Sequence, residues 1–337
     1  MKQQLNPLPE NRRWLAIWVL AVLFLLGSLL GYEWLLKTRG FKPSVEVTQD
    51  LWSWNRSRAS QDNALVLVGA SRIQLAIDIE TLREQWPDKH IASLAVNGSF
   101  PMSTLIDLAA DEEFNGLVLL SFHARMLEPD YFDMQKPYVD HYHNSAGYLD
   151  MMNARVMAWL QSKWRLLHPL MNLHDLLHFF IENRRFPDPP YISFHPDTTA
   201  SADYQISDVN ALRHYFLQSK QRDYQQHKAM NDDVWVDGVQ RMMLAIRAIE
   251  QRGGQVIVLR FPVGPAHWLL DQAEYPRARY WDVMLLRNPD LKALHFLEHP
   301  GWQAFDFPDS SHLDASDKVA FTEQLLSTIL LHWPELH

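Results

Sequence analysis

The chain contains no cysteine in its 337 residues, which excludes disulfides, zinc thiolate sites and a thiol nucleophile together. The absence leaves the compartment open, because a cysteine-free chain tolerates either redox state. A surplus of positive charge is missing too. The formal net charge is -9, with both signs mixed along the sequence, so the broad cationic surface that displaces counterions from nucleic acid is not there, and no nucleic-acid partner is expected. Inspection finds no internal repeat and no low-complexity tract. What the chain has in quantity is apolar residues, 47% of the total, ample for a packed core and incompatible with a disordered chain.

Charge is locally absent as well. From Trp14 to Tyr32 the sequence WLAIWVLAVLFLLGSLLGY carries none, and as a helix it would span roughly 29 Å, about the hydrocarbon thickness of a bilayer. Trp14, Trp18, Tyr32 and Trp34 lie toward its ends, where amphipathic rings favour the membrane interface. Residues 14–36 are therefore expected to be an uncleaved single-pass anchor. A cleaved signal peptide would have a shorter apolar stretch and a small-x-small cleavage site. Lys2, Arg12 and Arg13 before the segment are balanced by Lys37, Arg39 and Lys42 after it, so charge bias does not set orientation. A long folded domain after one anchor suits a cytoplasmic tail over residues 1–13, an inner-membrane location and a periplasmic or extracellular domain.

Residues 37–63 read as a tether ending in a short helix. Four short apolar runs follow, at Ala64–Val68, Ile91–Val96, Leu117–Leu120 and Val256–Leu259, each closing on a polar or glycine-containing loop. Stretches with helical spacing separate the first three. A fifth strand is expected around Gln303–Phe307, then a final helix from about Ser316 to Leu331, capped by Asp314 or Ser316. The alternation predicts a flavodoxin-like three-layer α/β fold with a mostly parallel five-stranded sheet, formed by 64–125 and 237–337. Residues 126–236, rich in tryptophan and histidine, read as a helical insertion over or beside the site.

In such sheets ligands bind beyond the carboxyl ends of the strands. Strand one ends in VGASRIQ, which puts Ser71 at a strand-to-helix turn whose free N–H groups favour negative charge. By itself the serine is as well explained as a helix cap. Near the C-terminus, PDSSHLD brings Asp309 and His312 to the same sheet edge. A serine hydroxyl needs a base to take its proton, and the imidazole needs a carboxylate on its other nitrogen, so the three residue types suit a catalytic triad. Arg260, after strand four, and Arg72, beside the serine, are candidates for holding a carboxylate or phosphate of a substrate.

Gly69-Ala70-Ser71-Arg72 and Asp309-Ser310-Ser311-His312-Leu313 resemble the first and last blocks of the SGNH (GDSL-like) hydrolases, in the right order, and Val96-Asn97-Gly98 is similar to the second block. The resemblance implies an oxyanion hole from the N–H groups of Ser71 and Gly98, with Asn97 beside them. It departs at the third block, where Ser121-Phe122-His123 stands in place of Gly-x-Asn and leaves His123 as the substitute donor. The anchored architecture is similar to SGNH-like proteins of cell-envelope polysaccharide acylation. That likeness implies an esterase or O-acyltransferase acting on an acylated polysaccharide or small molecule, with a membrane acyltransferase as partner. The alternative is a catalytically inactive, membrane-tethered binding or assembly subunit that kept the fold. No cofactor and no metal is expected: His174 and His178 are i, i+4 without the glutamate of HExxH, and His141 and His143 have no third ligand. Tyr275, Tyr280 and Trp281 could stack on a sugar or simply pack a helix.

Overall fold

The structure, a computed structural model, describes residues 10–336. Residues 1–9, including Lys2 and most of the tail expected before the anchor, lie outside the described residues. Two compact units divide the rest. One holds the residues up to Ser44 together with Leu160–Pro190, and the other holds Val45–Trp159 and Tyr191–His337.

In the first unit, α1 (Glu10–Thr38) is unbroken, and its Arg12–Thr38 part is long and apolar enough to cross a membrane. At the helical rise those residues extend about 40 Å. Its apolar side chains from Trp14 to Leu30 are largely exposed, whereas the last turns are held by protein. Glu33 accepts hydrogen bonds from Arg165 at 2.9 Å and from the Leu166 N–H at 2.9 Å, and Leu36 packs with Phe41 and Met171.

The second unit opens with α2 (Gln49–Ala59), capped by the Thr48 hydroxyl. The alternation follows: β1 (Ala64–Val68), α3 (Ser71–Ala76), α4 (Ile79–Gln85), β2 (His90–Ser93), α5 (Met102–Ala110) and β3 (Leu117–Ser121). Between β3 and the next sheet strand come α6 (Pro129–Phe132), α7 (Lys136–Asn144) and α8 (Tyr148–Gln161); the chain then passes through α9 (Leu173–Asn183), which belongs to the first unit, and the second unit resumes with a two-stranded antiparallel ribbon of β4 (Ile192–Phe194) and β5 (Ala200–Ala202) and the long helices α10 (Val209–Gln226) and α11 (Asp232–Gln251). The chain then returns through β6 (Gln255–Arg260), α12 (Pro265–Glu274), α13 (Arg277–Arg287), β7 (Ala293–His295), α14 (Pro300–Gln303) and α15 (Lys318–His332).

The main sheet has five strands in the order β2-β1-β3-β6-β7, and every pairing is parallel. Both faces are covered, which is why its central strands read as continuous apolar runs. Val66 and Val68 of β1 point into the core under α2, α5, α11 and α13, while Leu65 and Leu67 point into the core under α3, α4 and α15. Helix α11 contributes Trp235, Val239, Met242, Ile246 and Ile249 at helical spacing. At about 25 cal/mol per Å², burying each such side chain stabilises by roughly 1.5–3 kcal/mol.

One strand was expected in the wrong place. Gln303 ends α14, and Phe305 and Phe307 pack into the core from a loop; the fifth strand is β7, ten residues earlier. It is a three-residue edge strand with a buried histidine, His295, at its end, too short for a periodic pattern to mark. The last helix begins at Lys318, and Asp314 caps the short 3-10 turn before it by accepting from the Ser316 N–H at 2.9 Å.

The sheet order reverses between β1 and its neighbours β2 and β3, so the loops after these strands open a crevice at the carboxyl edge. Ser71 stands in it.

Candidate active site

Ser71 is the first residue of α3, and Ala70 occupies the cap position without a side-chain bond. The serine hydroxyl is therefore not spent on capping. Its Oγ lies 2.8 Å from His312 Nε2, and His312 Nδ1 lies 2.8 Å from Asp309 Oδ2. Asp309 is fully buried and accepts three more hydrogen bonds: from the Ser311 and His312 N–H groups, each at 2.8 Å, and from the Tyr204 hydroxyl at 2.7 Å. Burial alone would raise its pKa. The His312 hydrogen bond and charge, with the Ser311 N–H and Tyr204, outweigh burial and hold the carboxyl below its ordinary value. An ionised carboxylate only accepts, so His312 must carry its proton on Nδ1 and offer the Nε2 lone pair to Ser71.

The backbone around this chain of bonds is tightly set. Gly69, before the serine, has no room for a side chain, since an added Cβ would lie 2.6 Å from both Ile73 Cγ2 and Ser121 Cβ. Its carbonyl accepts from the Val96 N–H at 3.1 Å and from Gln135 Nε2 at 2.9 Å. Gln135 also donates to the Ser99 carbonyl at 3.0 Å and accepts from Thr104 at 2.5 Å. One fully buried amide thus ties the turn bearing Ser71 to the turn bearing Asn97 and Gly98. Gly98 has φ +71°, a conformation glycine takes at no steric cost. Asn97 and Gly98 are exposed. On the other side, Ser310 holds φ +74°, costly for a serine, and its loop is fastened by the Gly264 N–H donating to the Ser310 carbonyl at 3.0 Å.

Beside the triad is a second buried carboxylate. Asp271 of α12 pairs with Lys220 at 2.7 Å and with Arg260, accepts from Tyr224 at 2.7 Å, and lies 3.3 Å from His123 Nε2. Arg260 is buried and spent on Asp271 and on the Phe261 carbonyl, so it does not reach out to a ligand as the strand-end position led us to expect. His123 is spent too. Its Nδ1 accepts from the Arg125 N–H at 3.2 Å, which leaves its proton on Nε2, facing Asp271. Burial drives its pKa down to about 3 despite the carboxylate, so it stays neutral. In this arrangement His123 has no N–H to offer an oxyanion, whereas the Ser71 and Gly98 N–H groups bond nothing among the described residues.

Arg72 points to the same cluster, donating from Nη2 to His267 Nε2 at 2.8 Å. Phe216, Lys220 and Tyr224 recur every four residues along one face of α10, and Phe216 meets the His312 ring edge-on at 5.4 Å. Gly98, Phe216, Lys220 and His267 line an open cleft of about 610 Å³.

Several of these residues carried no signal that sequence reasoning used. Tyr204 and Gln135 are isolated polar residues, invisible without the fold. Lys220 and Asp271 did leave a trace: each lies four residues from another polar or aromatic site residue on its helix. Of the histidines weighed as metal ligands, His141 pairs with Asp50 at 2.6 Å, His143 with Asp107 at 2.5 Å and His178 with Glu182 at 3.5 Å. Tyr275, Tyr280 and Trp281 are buried core.

No protein-family model and no curated protein matches this chain. Among solved structures, one described as the crystal structure of TesA aligns with a TM-score of 0.36 and 11% identity, over 79% of this chain and 97% of that one. A likeness that low bears on neither fold nor function; the strand order above rests on the hydrogen-bonded ladders of this chain.

Proposed function

We propose that this protein is a serine-dependent acyl-transfer enzyme acting on esters. The reading is carried by one observation, the hydrogen-bonded chain Ser71–His312–Asp309 in a crevice at the carboxyl edge of the sheet. Ser71 Oγ attacks the acyl carbon while its proton passes to His312 Nε2, and the carbonyl oxygen becomes an oxyanion facing the Ser71 and Gly98 N–H groups. His312 then returns the proton to the departing alcohol, leaving an acyl-serine. Water or a sugar hydroxyl, deprotonated by His312, takes the acyl group and restores the serine. Asp309 holds the tautomer and stabilises the imidazolium.

The blocks around Ser71, Gly98 and His312 support placing the chain among SGNH-like hydrolases. The apolar α1 supports a membrane-tethered enzyme with its catalytic unit outside the cytoplasm, acting on an acylated cell-envelope polysaccharide beside a membrane acyltransferase. A fluorophosphonate probe tests the core of the proposal. Folded wild-type protein should be labelled and Ser71→Ala should not, and wild-type protein that resists labelling removes the reading.

His123 favours a second reading. With its N–H committed to Asp271, the third oxyanion donor is missing, and losing one such donor costs about a hundredfold or more in rate. A binding or assembly subunit that retained the fold would show this pattern. Under that reading a Ser71→Ala chain supports the cellular phenotype, while changes in residues 126–236 abolish it.

A further inference from the structure

The cluster next to the triad is short of negative charge. Arg72, Lys220 and Arg260 stand around Asp271, with Asp309 of the triad also acting on Arg72, so three cations meet two carboxylates; the histidines among them are neutral, burial holding both His123 and His267 well down. Arg260 and Lys220 both pair with Asp271. Arg72 has no carboxylate partner among the described residues; its hydrogen bond goes to neutral His267.

The cluster is short of acceptors as well. Because His267 Nε2 accepts from Arg72, its proton sits on Nδ1, and that N–H is buried with no partner; Arg72 Nε is likewise buried and unpartnered. A buried donor left unmet is costly, and in native proteins such groups commonly mark where an ion or ligand belongs. The surplus is not sealed off. Lys220 and His267 face the 610 Å³ cleft with Gly98, beside Phe216, which rests on the catalytic imidazole.

From this geometry we infer that the site takes esters bearing an anionic group, a carboxylate, phosphate or sulfate, held by Arg72 and Lys220 in the cleft beside Gly98. The inference rests on the acyl-transfer reading and adds its substrate class. The anion supplies the missing charge and the missing acceptors at once, and Arg72 and Lys220 make charge-assisted hydrogen bonds to it. Lys220 is suited to this. Burial pushes its pKa down to about 8 despite the pull of Asp271, so a second anion relieves an ammonium that the fold holds at a cost.

The test uses the full chain in detergent and three esters: neutral phenyl acetate, phenyl hydrogen succinate with its carboxylate on the acyl side, and 3-carboxyphenyl acetate with it on the alcohol side. At matched ionic strength, kcat/KM for one charged ester should exceed that for phenyl acetate by about tenfold or more, as a charge-assisted contact warrants, and the favoured ester identifies the side that carries the anion. Lys220→Ala and Arg72→Gln should each erase the preference, and Lys220→Arg should restore it; circular dichroism checks that the variants are folded. A wild-type enzyme that turns over all three with no preference for either acid overturns the inference and leaves acyl transfer standing.

If none is turned over, calorimetric titration of inorganic sulfate into Ser71→Ala protein, against chloride of equal ionic strength, decides instead. Binding that Lys220→Ala and Arg72→Gln each weaken about tenfold or more upholds the anion site without the chemistry. Absence of binding, or binding indifferent to those changes, overturns it.

Discussion

Two carboxylates, Asp309 and Asp271, are buried within the same unit, and both are held below their ordinary pKa against the opposing effect of burial. They are partnered in opposite ways. Asp309 takes two backbone N–H groups, one tyrosine and one imidazole, so its charge is balanced mostly by dipoles and the imidazole keeps its Nε2 for Ser71. Asp271 takes a lysine, an arginine, a tyrosine and a histidine, each of which is fixed by the contact. A carboxylate satisfied by dipoles can orient a base; one saturated by cations can only hold them in place. Under the proposed acyl-transfer reading, the difference separates the catalytic role of Asp309 from the structural one of Asp271 more sharply than burial or pKa does.

Asparagine at each position should break the two apart. In Asp309→Asn the amide presents a donor to His312, which must move its proton to Nε2 and can no longer receive the one from Ser71. Ester turnover should fall about ten-thousandfold with the fold retained. A rate within a few fold of wild type would remove Asp309 from the triad. In Asp271→Asn, Lys220 and Arg260 lose the carboxylate they pair with, and removing one partner of a buried ion pair costs about 3–5 kcal/mol. Urea unfolding should show that loss, and a midpoint no lower than that of Asp309→Asn would erase the distinction.

Tyr204→Phe refines the picture at lower amplitude. It takes one of four donors from Asp309, a charged-acceptor hydrogen bond worth about 1.5–3 kcal/mol, and should slow fluorophosphonate labelling about tenfold. Labelling at the wild-type rate would mean that the backbone N–H groups hold Asp309 unaided.

The smallest effect expected is a change with pH. The folded pKa of Lys220, about 8, lies below the unfolded value near 10.4, so above pH 8 it is neutral while Arg72, whose pKa burial lowers only to about 10, is still charged. Asp271, His123, His267 and Tyr224, which also face it, keep the same charge across that step. The preference for an acidic ester over phenyl acetate should therefore decline as pH rises through 8, and should not do so in Lys220→Arg. A preference flat from pH 7 to 9 would argue against a role for the Lys220 ammonium. The same shift makes protonated Lys220 a cost to stability that grows as pH falls from the unfolded pKa toward 8 and is constant below it.

Much of the scaffold was legible because its signals are local. The runs at 64–68, 117–120 and 256–259 are strands buried on both faces, and such strands must be apolar at every position, so they stand out in one dimension. The edge strand at 293–295 did not stand out, because three residues carry no period and the apolar loop after it reads more strongly. Ser71, Asp309 and His312, which the structure joins in one hydrogen-bonded chain, were picked out because two short motifs flank the sheet in a known order. The roles given to Arg260 and His123 failed to anticipate Asp271, a helix residue with no motif around it that absorbs the donors of both. Gln135 and Tyr204 escaped for the same reason: each acts across a long stretch of chain on a backbone carbonyl or a carboxylate that only folding brings near.

Sequence alone determined the apolar N-terminal helix, the alternating α/β order and the three residue types at the sheet edge, because each is written in the spacing of neighbouring residues. Tertiary structure decided which polar groups are free. A histidine, an arginine or an N–H is available for chemistry only if no other group in the fold has already taken its hydrogen bond, and that is settled by partners tens to hundreds of positions away, which no local pattern records.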